Sequence, residues 1–146
     1  MIKRLIECLP YIINGGYPFT TRDIPSPRAT VKTGDVYYDS GEVRIKGYKS
    51  EPLISTVEDT NSMDPLIDAG HICVFRTDFK KADLGVGDVI VYQCQEGLIM
   101  HRIVKITPDA LGRIYTLRGD NNIGNDPYLV RDEHILYLLD LIKYYS

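Results

Sequence analysis

Asp88-Val89-Ile90-Val91-Tyr92-Gln93 and Leu98-Ile99-Met100-His101-Arg102-Ile103-Val104-Lys105-Ile106 are the two runs whose reading decides the fold. Both are rich in β-branched residues, and Gly85, Gly87 and Gly97 punctuate them, which predicts a pair of strands. The same pattern recurs on either side. Residues 36–38 and 42–48 flank Asp39-Ser40-Gly41, a hairpin turn by composition. Further strands are predicted at 53–57, 71–76 and 113–118, with breaks at Gly70, Pro108, Gly112 and Gly119. This spacing predicts an all-β or mostly β domain. Residues 1–9 read as a short helix ended by Pro10. Residues 133–145 support two readings: Ile135, Leu138, Leu139 and Ile142 form a helical face, whereas Ile135, Tyr137, Leu139 and Leu141 alternate as a strand does. Residues 14–33, with Gly15, Gly16, Pro18, Pro25 and Pro27, read as a long loop or extended arm.

Composition narrows the function. The 146 residues suffice for one domain with a real core, and 44% hydrophobic against 25% charged residues excludes global disorder. Eleven tyrosines and no tryptophan accompany the β-branched content. Seventeen basic and twenty acidic residues leave a formal charge of −3, so no nucleic-acid partner is expected. Cys8, Cys73 and Cys94 are an odd number without a CxxC pair. That excludes a complete disulfide framework, gives no zinc-ligand spacing, and points to reduced, buried thiols in a cytoplasm-like compartment. A bilayer-spanning helix needs about 20 mostly apolar residues. No such run is present, and Glu7 and Pro10 interrupt the weakly signal-like residues 1–13, so a soluble location without export is expected. No metal or cofactor is expected.

Three clusters hold the reactive side chains. In Asp59-Thr60-Asn61-Ser62-Met63-Asp64-Pro65, Ser62 sits between two predicted strands as a candidate turn-held nucleophile, although the stretch also reads as an ordinary polar loop. A serine hydroxyl needs a base. His101, inside a predicted strand, reads either as a structural histidine or as a group able to take a proton near neutrality. In Arg118-Gly119-Asp120-Asn121-Asn122, followed by Asn125-Asp126, the composition is that of a turn. Its two carboxylates are also candidates to orient a histidine.

In order, Ser62-Met63-x-Pro65, Gly87-Asp88 followed by apolar residues, His101-Arg102 and Gly119-Asp120-Asn121-Asn122 resemble the motifs of signal peptidase I and the self-cleaving domains of SOS-response repressors. The resemblance spans roughly residues 56–135. His101-Arg102 in place of a lysine base, and the acidic stretch ending in Asp126, are similar to the archaeal and endoplasmic-reticulum signal peptidases. The resemblance implies coiled, partly open β-sheets, with an N-terminal arm and strands of unassigned role at 1–55 and a serine-peptidase-like core at 56–146. It implies Ser62 as nucleophile, His101 as general base, Asp126 as histidine-orienting acid and Asp120 as supporting acid. Thr60 and Met63 fall at the oxyanion- and substrate-binding positions. The implied partner is an extended peptide or protein substrate, together with a membrane-tethering partner, since these relatives carry a membrane anchor. Gly70-His71 stands where the family commonly has Gly-Asp, so His71 reads as structural and His134 as a surface residue. Two rivals stay open: a peptide-binding module without catalysis, and a regulatory protein whose Gly15-Gly16 arm is cut by its own site.

Overall fold

A computed structural model describes residues 25–27 and 32–144. The helix expected at residues 1–9, Cys8 and most of the 14–33 arm lie outside the described residues. The chain forms β1 (Val36–Asp39), β2 (Glu42–Ile45), β3 (Leu53–Thr56), β4 (Ile72–Arg76), β5 (Val89–Cys94), β6 (Gly97–Asp109), β7 (Gly112–Arg118) and β8 (Ile135–Lys143). Three short 3-10 turns, Thr33–Asp35, Lys81–Asp83 and Asp132–His134, are the helical elements among the described residues. None of the described helices is long and apolar enough to cross a membrane. The architecture is a mostly β domain with open, unclosed sheets, consistent with a signal-peptidase-like β fold.

β1 and β2 form a separate two-stranded ribbon. Ser40 and Gly41 both take positive φ (52° and 92°), as a primed hairpin turn requires, and Asp39 faces Glu42 across it. The other six strands lie in the order β3-β4-β8-β5-β6-β7, so β3 and β7 are the edges. All the strand pairs are antiparallel, and register shifts in the β4–β8, β5–β8 and β6–β7 pairs mark bulges that increase coiling.

β5 is buried on both faces. Ile90 and Tyr92 join Ile103, Tyr115, Leu117 and Leu138 in one cluster, while Val89 and Val91 join Met63, Ile67, Cys73 and Phe75 in the other. Burial raises the Cys73 thiol pKa. Cys94 is only half-buried, a correction to the expectation of two buried thiols.

Within the stretch read either way, the described residues form the end of the 3-10 turn Asp132–His134 and then β8 (Ile135–Lys143), not a helix. β8 pairs with β4 and β5 and places Leu138 and Leu139 on opposite clusters, so its both-faces burial produced the mixed periodicity. Pro108 does not break the chain either. It lies inside β6, facing Arg113 of β7, beyond the part of β6 that pairs with β5. Its missing N–H therefore costs no hydrogen bond to β5. The strand expected to reach Tyr48 stops at Ile45, and Gly47 follows with φ 98°.

Candidate active site

The Ser62 loop leaves β3 at the sheet edge. Asn61 takes φ 56°, a left-handed conformation that asparagine tolerates better than most residues. Directly after Ser62, the Met63 carbonyl accepts from the N–H groups of Leu66 and Ile67, both at 3.1 Å, closing one tight turn. The Met63 side chain is buried in the core with Val89 and Val91. Ser62 thus sits between a left-handed residue and a buried anchor. Thr60 Oγ1 and Ser62 Oγ lie 3.2 Å apart.

His101 comes from β6, opposite Ile90 of β5. Its ring is 7% exposed as a residue, and Nδ1 lies 2.7 Å and 2.9 Å from the two Asp126 oxygens. A carboxylate only accepts, so Nδ1 carries the hydrogen of this bond and Nε2 of the neutral ring keeps a lone pair. The Asp126 backbone N–H donates to the Leu117 carbonyl at 2.8 Å, tying the residue to β7. Asp126 Oδ2 also accepts from the Tyr92 hydroxyl at 2.8 Å. Burial, then the Asp126 bond, push the Tyr92 phenol pKa far up, so the hydroxyl keeps its proton. Tyr92 carries no motif. Its only mark in the sequence is its position two residues after Ile90, on the face His101 shares.

Arg102, the next residue on β6, points to the opposite face and is 2% exposed. Its Nε and Nη2 donate to Asp120 Oδ1 and Oδ2 at 2.7 Å and 2.6 Å, and Nη1 donates to the Gly87 carbonyl at 2.7 Å. Asp120 and Asp126 therefore take different partners: Asp120 holds Arg102, and Asp126 holds His101. Adjacent residues of one strand grip the two ends of the same loop.

Gly119 is where the clusters meet. A Cβ there would lie 2.5 Å from the Ser62 carbonyl oxygen, 2.8 Å from Asn122 Nδ2 and 2.9 Å from His101 Nε2. Only a residue without a side chain lets the Ser62 backbone and the histidine ring approach one another this way. Asn121 completes the clasp: its backbone N–H donates to the Ser62 carbonyl at 3.0 Å and its side chain to the Asn61 carbonyl at 2.9 Å. Beside Ser62 opens a cavity of about 230 Å³, with walls that include Leu53, Met63, Phe75, Val91, Met100 and Tyr137.

The remaining histidines serve the backbone. His71 Nδ1 accepts from Asp68 N–H at 3.0 Å and its ring packs edge-on against Tyr144; His134 Nδ1 accepts from Arg131 N–H at 3.0 Å. His134 reads as a partly buried turn residue, not a plain surface one. Among the described residues, no group of three or more His, Cys, Asp or Glu side chains is arranged to hold a metal ion.

No family model and no solved structure matches the chain. Among curated proteins it is similar to Signal peptidase I W of Bacillus subtilis (strain 168), with 30% identity over 96 residues. The match covers 65% of this chain and 48% of that protein, so the chain spans about half the length of the relative.

Proposed function

We propose that the chain is a serine endopeptidase of the signal-peptidase type, cutting an extended peptide by acyl transfer with a histidine base, as in the archaeal and endoplasmic-reticulum branch. The observation that carries this reading is the 2.7 Å bond between His101 Nδ1 and Asp126, with the far nitrogen, Nε2, lying against Gly119 beside the Ser62 backbone. The similarity to a protein named signal peptidase supports it.

In this mechanism Ser62 Oγ attacks the peptide carbonyl carbon while His101 Nε2 takes the hydroxyl proton. Asp126 stabilises the resulting imidazolium and fixes the ring tautomer. The Ser62 N–H and the Thr60 hydroxyl are the donors for the oxyanion, each worth about 2.7–4 kcal/mol of transition-state stabilisation in comparable sites. The imidazolium then protonates the leaving amine. Water, activated by the same nitrogen, hydrolyses the ester and frees Ser62.

The substrate is an extended peptide that adds along the edge strand β3, whose Leu53, Ser55 and Thr56 line the cavity beside Ser62. Asp120 supports the site from a distance, by holding the loop through Arg102. A membrane-tethering partner would bring exported substrates to this domain.

The test incubates the protein with synthetic extended peptides and follows cleavage by mass spectrometry, beside Ser62→Ala and His101→Ala. A fluorophosphonate probe reports the nucleophile directly. Cleavage and probe labelling lost in both variants support the reading. Cleavage retained in Ser62→Ala overturns it, and tight peptide binding without cleavage by the wild type assigns the chain to the binding-module class.

A further inference from the structure

We propose that Tyr92 is a positioning residue of this site: its hydroxyl pins the Asp126 carboxylate and, through it, the orientation of the His101 ring. The catalytic consequence rests on the peptidase reading above; the hydrogen-bond chain itself does not.

The placement follows from register. β5 and β6 pair Ile90 with His101 and Tyr92 with Ile99, so Tyr92 and His101 project from the same face of the sheet. Tyr92 is fully buried in the cluster of Ile90, Ile103, Tyr115 and Leu117. Packing alone would be served equally by phenylalanine at this position. A buried hydroxyl needs a partner, and this one has found Asp126 Oδ2 at 2.8 Å.

Asp126 needs such a partner as well. Its backbone N–H is tied to the Leu117 carbonyl, and the orientation of its carboxylate rests on the side-chain groups that donate to it. His101 Nδ1 spans both carboxylate oxygens, 2.9 Å from Oδ1 and 2.7 Å from Oδ2, and the Tyr92 hydroxyl donates to Oδ2 alone at 2.8 Å. The Tyr92 donor acts on one of the two oxygens that face the imidazole, so it biases the carboxylate toward one tilt, and that tilt sets the orientation of the ring. Tyr92 comes from a core strand and not a loop, so it serves as a rigid reference for the two groups. The phenol also shares the carboxylate charge, which divides it between two donors.

Removing the hydroxyl therefore has two consequences. The carboxylate loses its fixed tilt, and all of its charge falls on the His101 N–H. In Tyr92→Phe, kcat should fall about 10- to 100-fold with KM unchanged, the size expected for one hydrogen bond to a charged group. The His101 Nδ1 proton should move downfield in the ¹H spectrum, assigned by its disappearance in His101→Gln. Tyr128→Phe is the control. It removes a phenol whose ring lies 6.3 Å from that of Tyr92 but whose pKa is raised by Glu96, then by burial, with no contribution from Asp126 among the causes. It should leave both readouts unchanged. A fluorinated tyrosine at position 92, which keeps the ring and strengthens the donor, should move the resonance upfield and keeps the test open if Tyr92→Phe folds poorly. An unmoved resonance in both Tyr92 variants, or an equal effect of Tyr128→Phe, overturns the proposal. If Ser62→Ala still cleaves, the peptidase reading falls, and the resonance alone decides whether Tyr92 governs the histidine.

Discussion

Gly119→Ala is the sharpest steric test of the site. The added methyl would stand 2.5 Å from the Ser62 carbonyl oxygen and 2.9 Å from His101 Nε2. Relaxed carbon contacts lie at about 3.5 Å, so the two sides must separate by about 1 Å. The oxygen is backbone, held by Asn121, and the ring is held by Asp126, so neither yields as a flexible side chain would. A misplacement of about 1 Å costs on the order of 10²-fold in rate, and overpacking costs about 1–3 kcal/mol. Peptide cleavage should thus drop about 100-fold, with a fall of a few degrees in Tm, measured by initial rates and differential scanning calorimetry. Gly124→Ala is the matched control, because a Cβ there meets nothing within 4 Å. If Gly119→Ala keeps wild-type rate and Tm, Ser62 and His101 do not meet across this glycine, and the site as drawn is wrong.

Asp126→Asn should lower the cleavage rate by on the order of 10⁴-fold while the melting curve stays near that of wild type, because asparagine stabilises the wrong histidine tautomer; steady-state kinetics decides it. Asp120→Ala should cost about 3–5 kcal/mol of stability in urea unfolding, since it strands the buried Arg102 guanidinium. Restoration in the double variant Arg102→Met with Asp120→Leu would locate the penalty in the unpaired charge. The Asp109 carboxyl is held down to about 2 by Arg131, then by the Leu111 N–H. Its pKa is lower folded than unfolded, so its contribution is present above about pH 4 and lost as pH falls toward 2. A carbon-detected NMR titration should show that low midpoint, and Arg131→Gln should raise it.

Local chemistry was legible wherever a residue's own backbone preference decides the structure. Asp39-Ser40-Gly41 announces its hairpin because Asp and Ser favour turns and Gly41 takes its positive φ without steric cost. β5 and β6 announce themselves through β-branched runs and their bounding glycines. β8 did not, since a strand sandwiched between two cores must be apolar on both sides, and only its pairing with β4 and β5 separates it from a helix. At the site, Ser62, His101 and the acidic loop stood out as ordered motifs. The division of labour between Asp120 and Asp126 did not, because it depends on Arg102 and His101 projecting to opposite faces of β6. Tyr92 left no trace beyond its alternation with Val91, for its partner lies 34 positions away in the chain.

The loop gripped at Asp120 by Arg102 and at Asp126 by His101 has a tip that bears almost nothing. Ile123 is 93% exposed and Gly124 faces open space. Because both ends are already fixed, lengthening the middle adds only a slowly growing closure entropy, about 0.6 kcal/mol for each doubling. The tip between Ile123 and Gly124 is therefore a port for protein engineering. An affinity tag, a fluorophore site or a small reporter peptide inserted there would ride close to the Ser62 and His101 groups without entering the contacts that hold them.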